Sequence, residues 1–490
     1  MKIALVNQNN EHFGGELDLP LGLAYLAAYI RSKNSEIILD IKDMSIMDEK
    51  EISDFYSTNY DIVGFSVMSA GYNQTMDIVR RLKADHPDTI TVFGGPHVSV
   101  VMDEILKEPF IDLAVYGEGE ITFHEIIERI DPDILSNTNV LSKINGLIYR
   151  DGNRIVVNPP RNLIDNLDEL PMPAFDLFNM DRYPGPFPII TSRGCPFNCV
   201  FCASSAIWGR TWRKRSPESI VREIEYLLTK YGKRPILFQD DAVNIDKKRM
   251  HEICDLILKR KFGVPVVLRG VRVDLVDKNI AKKMRKMGTT NIGIGIESAN
   301  DSMLKKMGKK TTTSKILKGI KNLHSAGIAV DGQFMIGNPG ETLETVQNSL
   351  AFIKKSKIFN ATWGTAIPFP NTGLWHYVKK SGELLTDKPC TEYDFLFPRI
   401  LFETKEFTKE QRHQAIKMVE SHGFIVHGNT PPVKAKKRET PNYHAIIAKH
   451  RFNNRFPTWV FAIIRRVKLS IEKRNRTKAF IKNQEQFERI

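Results

Sequence analysis

Twice along this 490-residue chain, short apolar runs alternate with segments of helical periodicity, and a proline-rich stretch separates the two series. In the first series the apolar runs fall at residues 2–6, 37–41, 62–66, 91–94 and 113–116. Runs this short and uniformly apolar, each followed by a helical segment, predict parallel strands buried on both faces. They predict an α/β domain over residues 1–145, a doubly wound parallel sheet that takes ligands at the carboxyl ends of its strands. A hairpin around Asp151-Gly152 and the proline-rich stretch 159–188 follow, so residues 146–185 read as hairpin and linker. The second series has runs at 188–191, 236–240, 266–269, 291–297, 330–337 and 363–369. Six strand–helix units suit a partial (β/α)6 barrel over residues 186–400, again with its chemistry at the carboxyl ends. One of its helices has a clear start, with Ser216 as N-cap and Pro217 in the first turn.

Directly after the first strand of the second series come Cys195, Cys199 and Cys202, in the run Thr-Ser-Arg-Gly-Cys-Pro-Phe-Asn-Cys-Val-Phe-Cys. Three thiolates on a glycine-flanked loop can hold a metal centre, but are one ligand short of a closed zinc site or a fully ligated iron–sulfur cluster. The only other cysteines are Cys254 and Cys390, far along the chain. A zinc knuckle completed by a distant histidine would use the same three thiolates. A metal left with a vacant position is there for chemistry.

The C-x3-C-x2-C spacing, with Phe201 just before the last cysteine, resembles the radical S-adenosylmethionine superfamily. The resemblance implies a 4Fe–4S cluster held by these cysteines, whose fourth iron chelates S-adenosylmethionine. One electron passed through the cluster would then cleave the sulfonium to methionine and a 5′-deoxyadenosyl radical. Further stretches resemble the same barrel in chain order. Gln239-Asp240-Asp241 is similar to the segment that binds the amino group of S-adenosylmethionine, although paired aspartates after a strand are as often a helix N-cap. Arg272 matches an arginine that points into the barrel and pairs with a carboxylate. Glu297 and Ser298 end a strand similar to the ribose-binding one, and Gly337 and Pro339 belong to a turn that resembles the adenine cradle, with Asn338 in place of an apolar residue. Phe201 would pack near the adenosyl group. Gln333, Trp363 and His376 are read as barrel-lining positions near the substrate.

The first domain resembles the cobalamin-binding domain fused before such barrels, through Leu19–Ala27, Gly94-Gly95-Pro96-His97 and Tyr116-Gly117-Glu118-Gly119-Glu120. Gly94, Gly95, Gly117 and Gly119 would let backbone approach a bulky nucleotide tail. Ser66, Met68 and Ser69 follow the third strand and would line the same cleft, with His97 and Glu118 beside it. Asn10-Glu11-His12 copies part of a cobalt-ligating histidine motif, but His12 reads better as a loop residue. The resemblance covers roughly residues 1–400. It implies a cobalamin-dependent radical enzyme, most simply a methyltransferase acting on an unactivated carbon of a lipid or biosynthetic intermediate. Cyclisation, oxygen insertion or rearrangement with the same cofactors, or a non-catalytic iron–sulfur or cobalamin sensor, are the alternatives. Flavodoxin or ferredoxin would be the low-potential electron donor.

Charge separates the ends of the chain. Residues 431–490 carry 16 Lys and Arg against 4 Asp and Glu, which accounts for +12 of the formal net charge of +14. A nearly neutral body argues against a nucleic-acid partner. Residues 401–490 read as a helical, basic C-terminal region. Within it 455–471 has an apolar face carrying Trp459 and is interleaved with Arg465, Arg466 and Lys468, a pattern suited to peripheral contact with an anionic membrane. With 5 cysteines, no signal-like start and no spanning apolar run, the chain reads as cytoplasmic, at most peripheral at the inner face of the membrane.

Overall fold

The computed structural model describes residues 1–8, 18–129, 134–391 and 399–426. His12 and the basic segment 431–490 lie outside them. Among the described residues no helix is long and apolar enough to cross a membrane.

The first sheet has seven strands: β1 (Lys2–Asn7), β2 (Ile38–Asp43), β3 (Ile62–Ser66), β4 (Ile90–Gly94), β5 (Leu113–Val115), β6 (Leu147–Asp151) and β7 (Arg154–Val157). Their order is β2-β1-β3-β4-β5-β6-β7. β1 to β5 run parallel, and β6 and β7 continue the sheet antiparallel. The hairpin is therefore the edge of the first sheet rather than a free connector. Burial on both faces explains the uniformly apolar strands. Ile3, Leu5, Ile62 and Val92 belong to the core on one face, and Ala4, Val6, Val63 and Phe93 to the core on the other. The helix Leu21–Lys33 is apolar nearly all round because it is covered from two sides. Leu23, Ala27 and Ile30 pack on the sheet, while Leu21 and Ala24 join the core of the barrel.

Residues 159–186 contain only single 3-10 turns, at Leu167–Glu169, Phe175–Leu177 and Met180–Arg182. Then come β8 (Phe187–Ile189), β9 (Ser192–Gly194), β10 (Trp212–Lys214), β11 (Ile236–Phe238), β12 (Val266–Leu268), β13 (Asn291–Glu297), β14 (Ala329–Ile336) and β15 (Asn360–Thr365). A hairpin of β16 (Gly382–Leu384) and β17 (Phe402–Thr404) precedes the last strand, β18 (Ile425–Val426). β8, β11 and β12 form one parallel sheet, and β13, β14, β15 and β18 another. Together they are the two staves of a partial barrel. Sequence periodicity shows six of its strands; β18, two residues long, is too short to leave a pattern. Ser216 caps Pro217–Tyr231 by accepting from Ser219 N, as its sequence predicts.

Candidate functional site

The cysteine loop sits between β9 and β10, a two-stranded antiparallel ladder just past the carboxyl end of β8. Its backbone is clamped from two sides. Val200 N donates to Met307 O at 2.9 Å, and Leu374 N donates to Val200 O at 2.7 Å. Gly308 has φ +72°, and a Cβ there would collide with Asn198 O. Asp240 holds the approach to the loop. Its Oδ1 accepts from Thr191 N at 3.1 Å, Thr191 Oγ1 at 2.9 Å, Ser192 Oγ at 2.6 Å and also Ser192 N. Burial pushes its carboxyl up to about 6 against the pull of those donors.

Cys195, Cys199 and Cys202 are free and half-buried. Burial raises all three thiols, Cys202 to about 12, so a metal that binds here must displace protons. Among the described residues no three His, Cys, Asp or Glu side chains gather about one ion. Thiolates that each take a different iron of a cubane do not need to. The donor set fits an iron–sulfur cluster better than a single zinc.

Around the loop the barrel offers buried polar atoms with no protein partner: Gln239 Oε1, Asp240 Oδ2, Ser298 Oγ and both amide atoms of Asn338. Atoms left this way are costly unless a ligand or water completes them, and they fit a polar cofactor such as S-adenosylmethionine. Glu297 sits at a register shift in β13 with φ +67° and pairs with Lys309 Nζ at 3.0 Å. Gly337 has φ +108°, where a side chain would meet Arg412 Nη1 at 2.5 Å. Gly337 N and Asn338 N both donate to Glu341 Oε2, the latter at 3.1 Å. Pro339 is buried in the same turn. Phe201 and Met335 both pack against the small core of Ala366, Leu374, Val378 and Phe402.

One reading from sequence changes, that of Trp363. Arg272 is committed to Asp274, at 2.9 and 2.8 Å, and lies 3.9 Å from the Phe197 ring centroid. It thus pairs with a carboxylate, as its sequence match implies, and braces the cysteine loop through Phe197. Trp363 does not line the barrel: it is 1% exposed and stacks on Phe334 in the outer core. Gln333 is exposed on β14, and His376 is exposed on the helix Gly373–Ser381.

A cavity of about 1250 Å³ joins the carboxyl edge of the first sheet to the start of the barrel. Drug-sized pockets run to about 1,000 Å³, so this space suits something bulkier. Ser66, Met68, Ser69, Gly94, Gly95, Gly117, Glu118 and Gly119 line it from the first domain. Arg193, Ala203, Trp208 and Asp241 line it from the barrel. A Cβ on Gly117 or Gly119 would meet nothing within 4 Å, which leaves a cradle open to a large ligand such as cobalamin. Asp241 faces this cavity and accepts from Ser204 Oγ at 3.2 Å, whereas Asp240 does not line it. His97 lies behind the wall, with Nδ1 2.9 Å from Ser69 Oγ, and burial lowers its imidazole to about 4.

Sequence reasoning missed the wall between the two domains. Arg193, two residues before Cys195, bonds Glu118 and Glu120 at 2.7 Å each, and Arg213 bonds Glu118 at 2.8 Å. All four side chains are at least nine-tenths buried. Burial works against the Arg193 cation, but Glu120 and Glu118 more than offset it and hold the guanidinium charged. The signal was present as two glutamates beside Gly117 and Gly119, which sequence alone could not match to arginines 73 to 95 residues away.

Family models match this architecture in chain order: the B12 binding domain over residues 15–127 and the Radical SAM superfamily over residues 189–353. The chain is 34% identical over 453 residues to an uncharacterized methyltransferase of Pyrococcus horikoshii, covering 87% of this chain and 96% of that one. It is 27% identical over 414 residues to the anaerobic magnesium-protoporphyrin IX monomethyl ester cyclase of Rubrivivax gelatinosus, covering 81% and 73%. The fold matches that of the radical S-adenosylmethionine methyltransferase TsrM from Kitasatospora setae, solved with cobalamin and a 4Fe–4S cluster bound. That match has a TM-score of 0.68 and 18% identity, and covers 90% of this chain and 93% of that one. Fold and site together define a radical S-adenosylmethionine enzyme with a second cofactor domain. The chain belongs to the cobalamin-dependent radical S-adenosylmethionine enzymes, whose cofactors are a 4Fe–4S cluster, S-adenosylmethionine and cobalamin.

Proposed function

We propose that this enzyme transfers a methyl group to an unactivated carbon of a small-molecule or lipid substrate. The observation that carries the reading is the single cavity lined by Gly117 and Gly119 on one side and by Ala203 and Asp241 on the other. Bound together, the cofactors supply radical generation and a transferable methyl group. In this reading Cys195, Cys199 and Cys202 hold three irons, and Asp241 takes the ammonium end of S-adenosylmethionine. Ser298 and Glu297 bind its ribose, and the Gly337–Pro339 turn takes its adenine. Gly94, Gly95, Gly117 and Gly119 admit the nucleotide tail of cobalamin, while Arg193 and Trp208 close the space between the two cofactors to water. A substrate seated there would have its reacting carbon within reach of both cofactors, the positioning that the enzyme has to provide.

The relationship to a cyclase favours one second reading, in which the same radical drives ring closure without methyl transfer. Anaerobic incubation of the reconstituted enzyme separates the two. It would use methyl-labelled S-adenosylmethionine, a low-potential reductant and a cell extract resolved into lipid and small-molecule fractions. Methyl transfer predicts a labelled product, with S-adenosylhomocysteine and 5′-deoxyadenosine in equal amounts. An unlabelled product with 5′-deoxyadenosine and no S-adenosylhomocysteine would replace methylation with cyclisation.

A further inference from the structure

The near-neutral body of the chain conceals a strongly basic sector. Residues 278–321 hold 12 Lys and Arg against 2 Asp and Glu, a local charge of +10. With the C-terminal 60 residues at +12 of the total +14, the rest of the body is acidic. Three helices carry the sector: Lys278–Lys286, Asp301–Lys306 and Thr313–Ser325. The first and third pack side by side, and Thr313 N donates to Asp301 Oδ1 at 2.7 Å, tying the second to the third. Lys282, Arg285, Lys305, Lys310, Lys315 and Lys318 are exposed, and among the described residues none of them makes an ion pair.

The sector touches the cysteine loop directly. Met307 O receives Val200 N at 2.9 Å, and Gly308 lies against Asn198 O, so this lysine-rich segment contacts the loop on either side of Cys199. We propose that this sector is the docking surface for a small acidic electron-transfer protein, a reduced flavodoxin, and that the electron enters the cluster past the Met307-Gly308 backbone. One electron leaves the anionic flavin hydroquinone, which becomes the neutral semiquinone with no proton released, and the cluster is reduced by that one electron. Charge-steered, small interfaces are typical of such transient encounters. Nucleic acid or an anionic bilayer would answer to the charge, but neither accounts for its placement against the cysteine loop.

The inference rests on the cluster reading, so iron content is measured first, on full-length anaerobic protein. The test variant is Lys305→Glu/Lys310→Glu/Lys315→Glu, and the control is Lys248→Glu on the exposed face of the helix Lys247–Arg260. Flavodoxin binding and the rate of cluster bleaching by reduced flavodoxin are read at low and high salt. The triple variant should lose roughly tenfold or more in both at low salt. Its salt dependence should flatten, the control should match wild type, and photoreduced deazaflavin should reduce all three proteins equally. Normal iron with unchanged flavodoxin binding and bleaching overturns the docking surface and leaves the cluster standing. So does a loss of binding to anionic vesicles or RNA in place of flavodoxin. Slower reduction of the variant by deazaflavin also overturns the docking surface, since these lysines would then support the cluster rather than dock the donor, and absent iron overturns both readings.

Discussion

Arg193 Nη1 lies 2.7 Å from Glu118 Oε1, with side chains 7% and 3% exposed. One residue belongs to the strand leading into the cysteine loop and the other to the loop after β5, so this pair fixes where the two halves of the molecule meet. Glu118 also accepts from Arg213 at 2.8 Å and from Ile164 N at 2.8 Å. A single carboxylate thus bridges two buried guanidinium groups, with Glu120 supplying the second negative charge, and holds the connector between the domains.

Glu118→Ala should therefore be severe. Removing one partner of a buried pair leaves an uncompensated charge and costs about 3–5 kcal/mol. Arg213 is the more exposed to this loss, because its Nε and Nη2 already have no partner. Denaturant unfolding should show a lower midpoint for the first transition; an unchanged midpoint would mean that the pair does not hold the domains.

Gly119→Trp tests the cradle without testing the fold. Gly119 begins the helix Gly119–Arg129, has no left-handed φ, and faces open space. An indole there should fill the cavity, leaving iron content normal and lowering cobalamin content after reconstitution roughly tenfold, equivalent to about 1.4 kcal/mol. Equal cobalamin in both proteins would remove this wall from the binding site.

His97 gives a pH signature. Its imidazole is lowered from 6.5 to about 4 by burial, so between those values the unfolded chain takes up a proton that the folded protein refuses. Stability is then present above pH 6.5 and lost as pH falls toward 4, by roughly 2 kcal/mol at pH 5. His97→Gln cannot titrate, so its unfolding midpoint should fall less between pH 7 and pH 5 than that of wild type.

How far the sequence could be read depended on whether a feature was local. The cysteine loop, the Ser216 cap and the parallel strands are written in adjacent residues, and the structure follows them. Trp363 was misjudged because alternation along β15 does not say which face looks inward; stacking on Phe334 settles it. Asp240 and Asp241 are neighbours, yet one anchors Thr191-Ser192 and the other faces the cavity, a division made by the turn after β11. Arg193 and Glu118 meet only through the tertiary fold, so no spacing rule could have paired them.

The most direct measurement is cleavage of S-adenosylmethionine by anaerobically reconstituted full-length protein supplied with a low-potential reductant. Wild type should contain four irons per chain and form 5′-deoxyadenosine, whereas Cys195→Ala/Cys199→Ala/Cys202→Ala should hold no cluster and form none. Equal 5′-deoxyadenosine from the triple variant would contradict the account at its root.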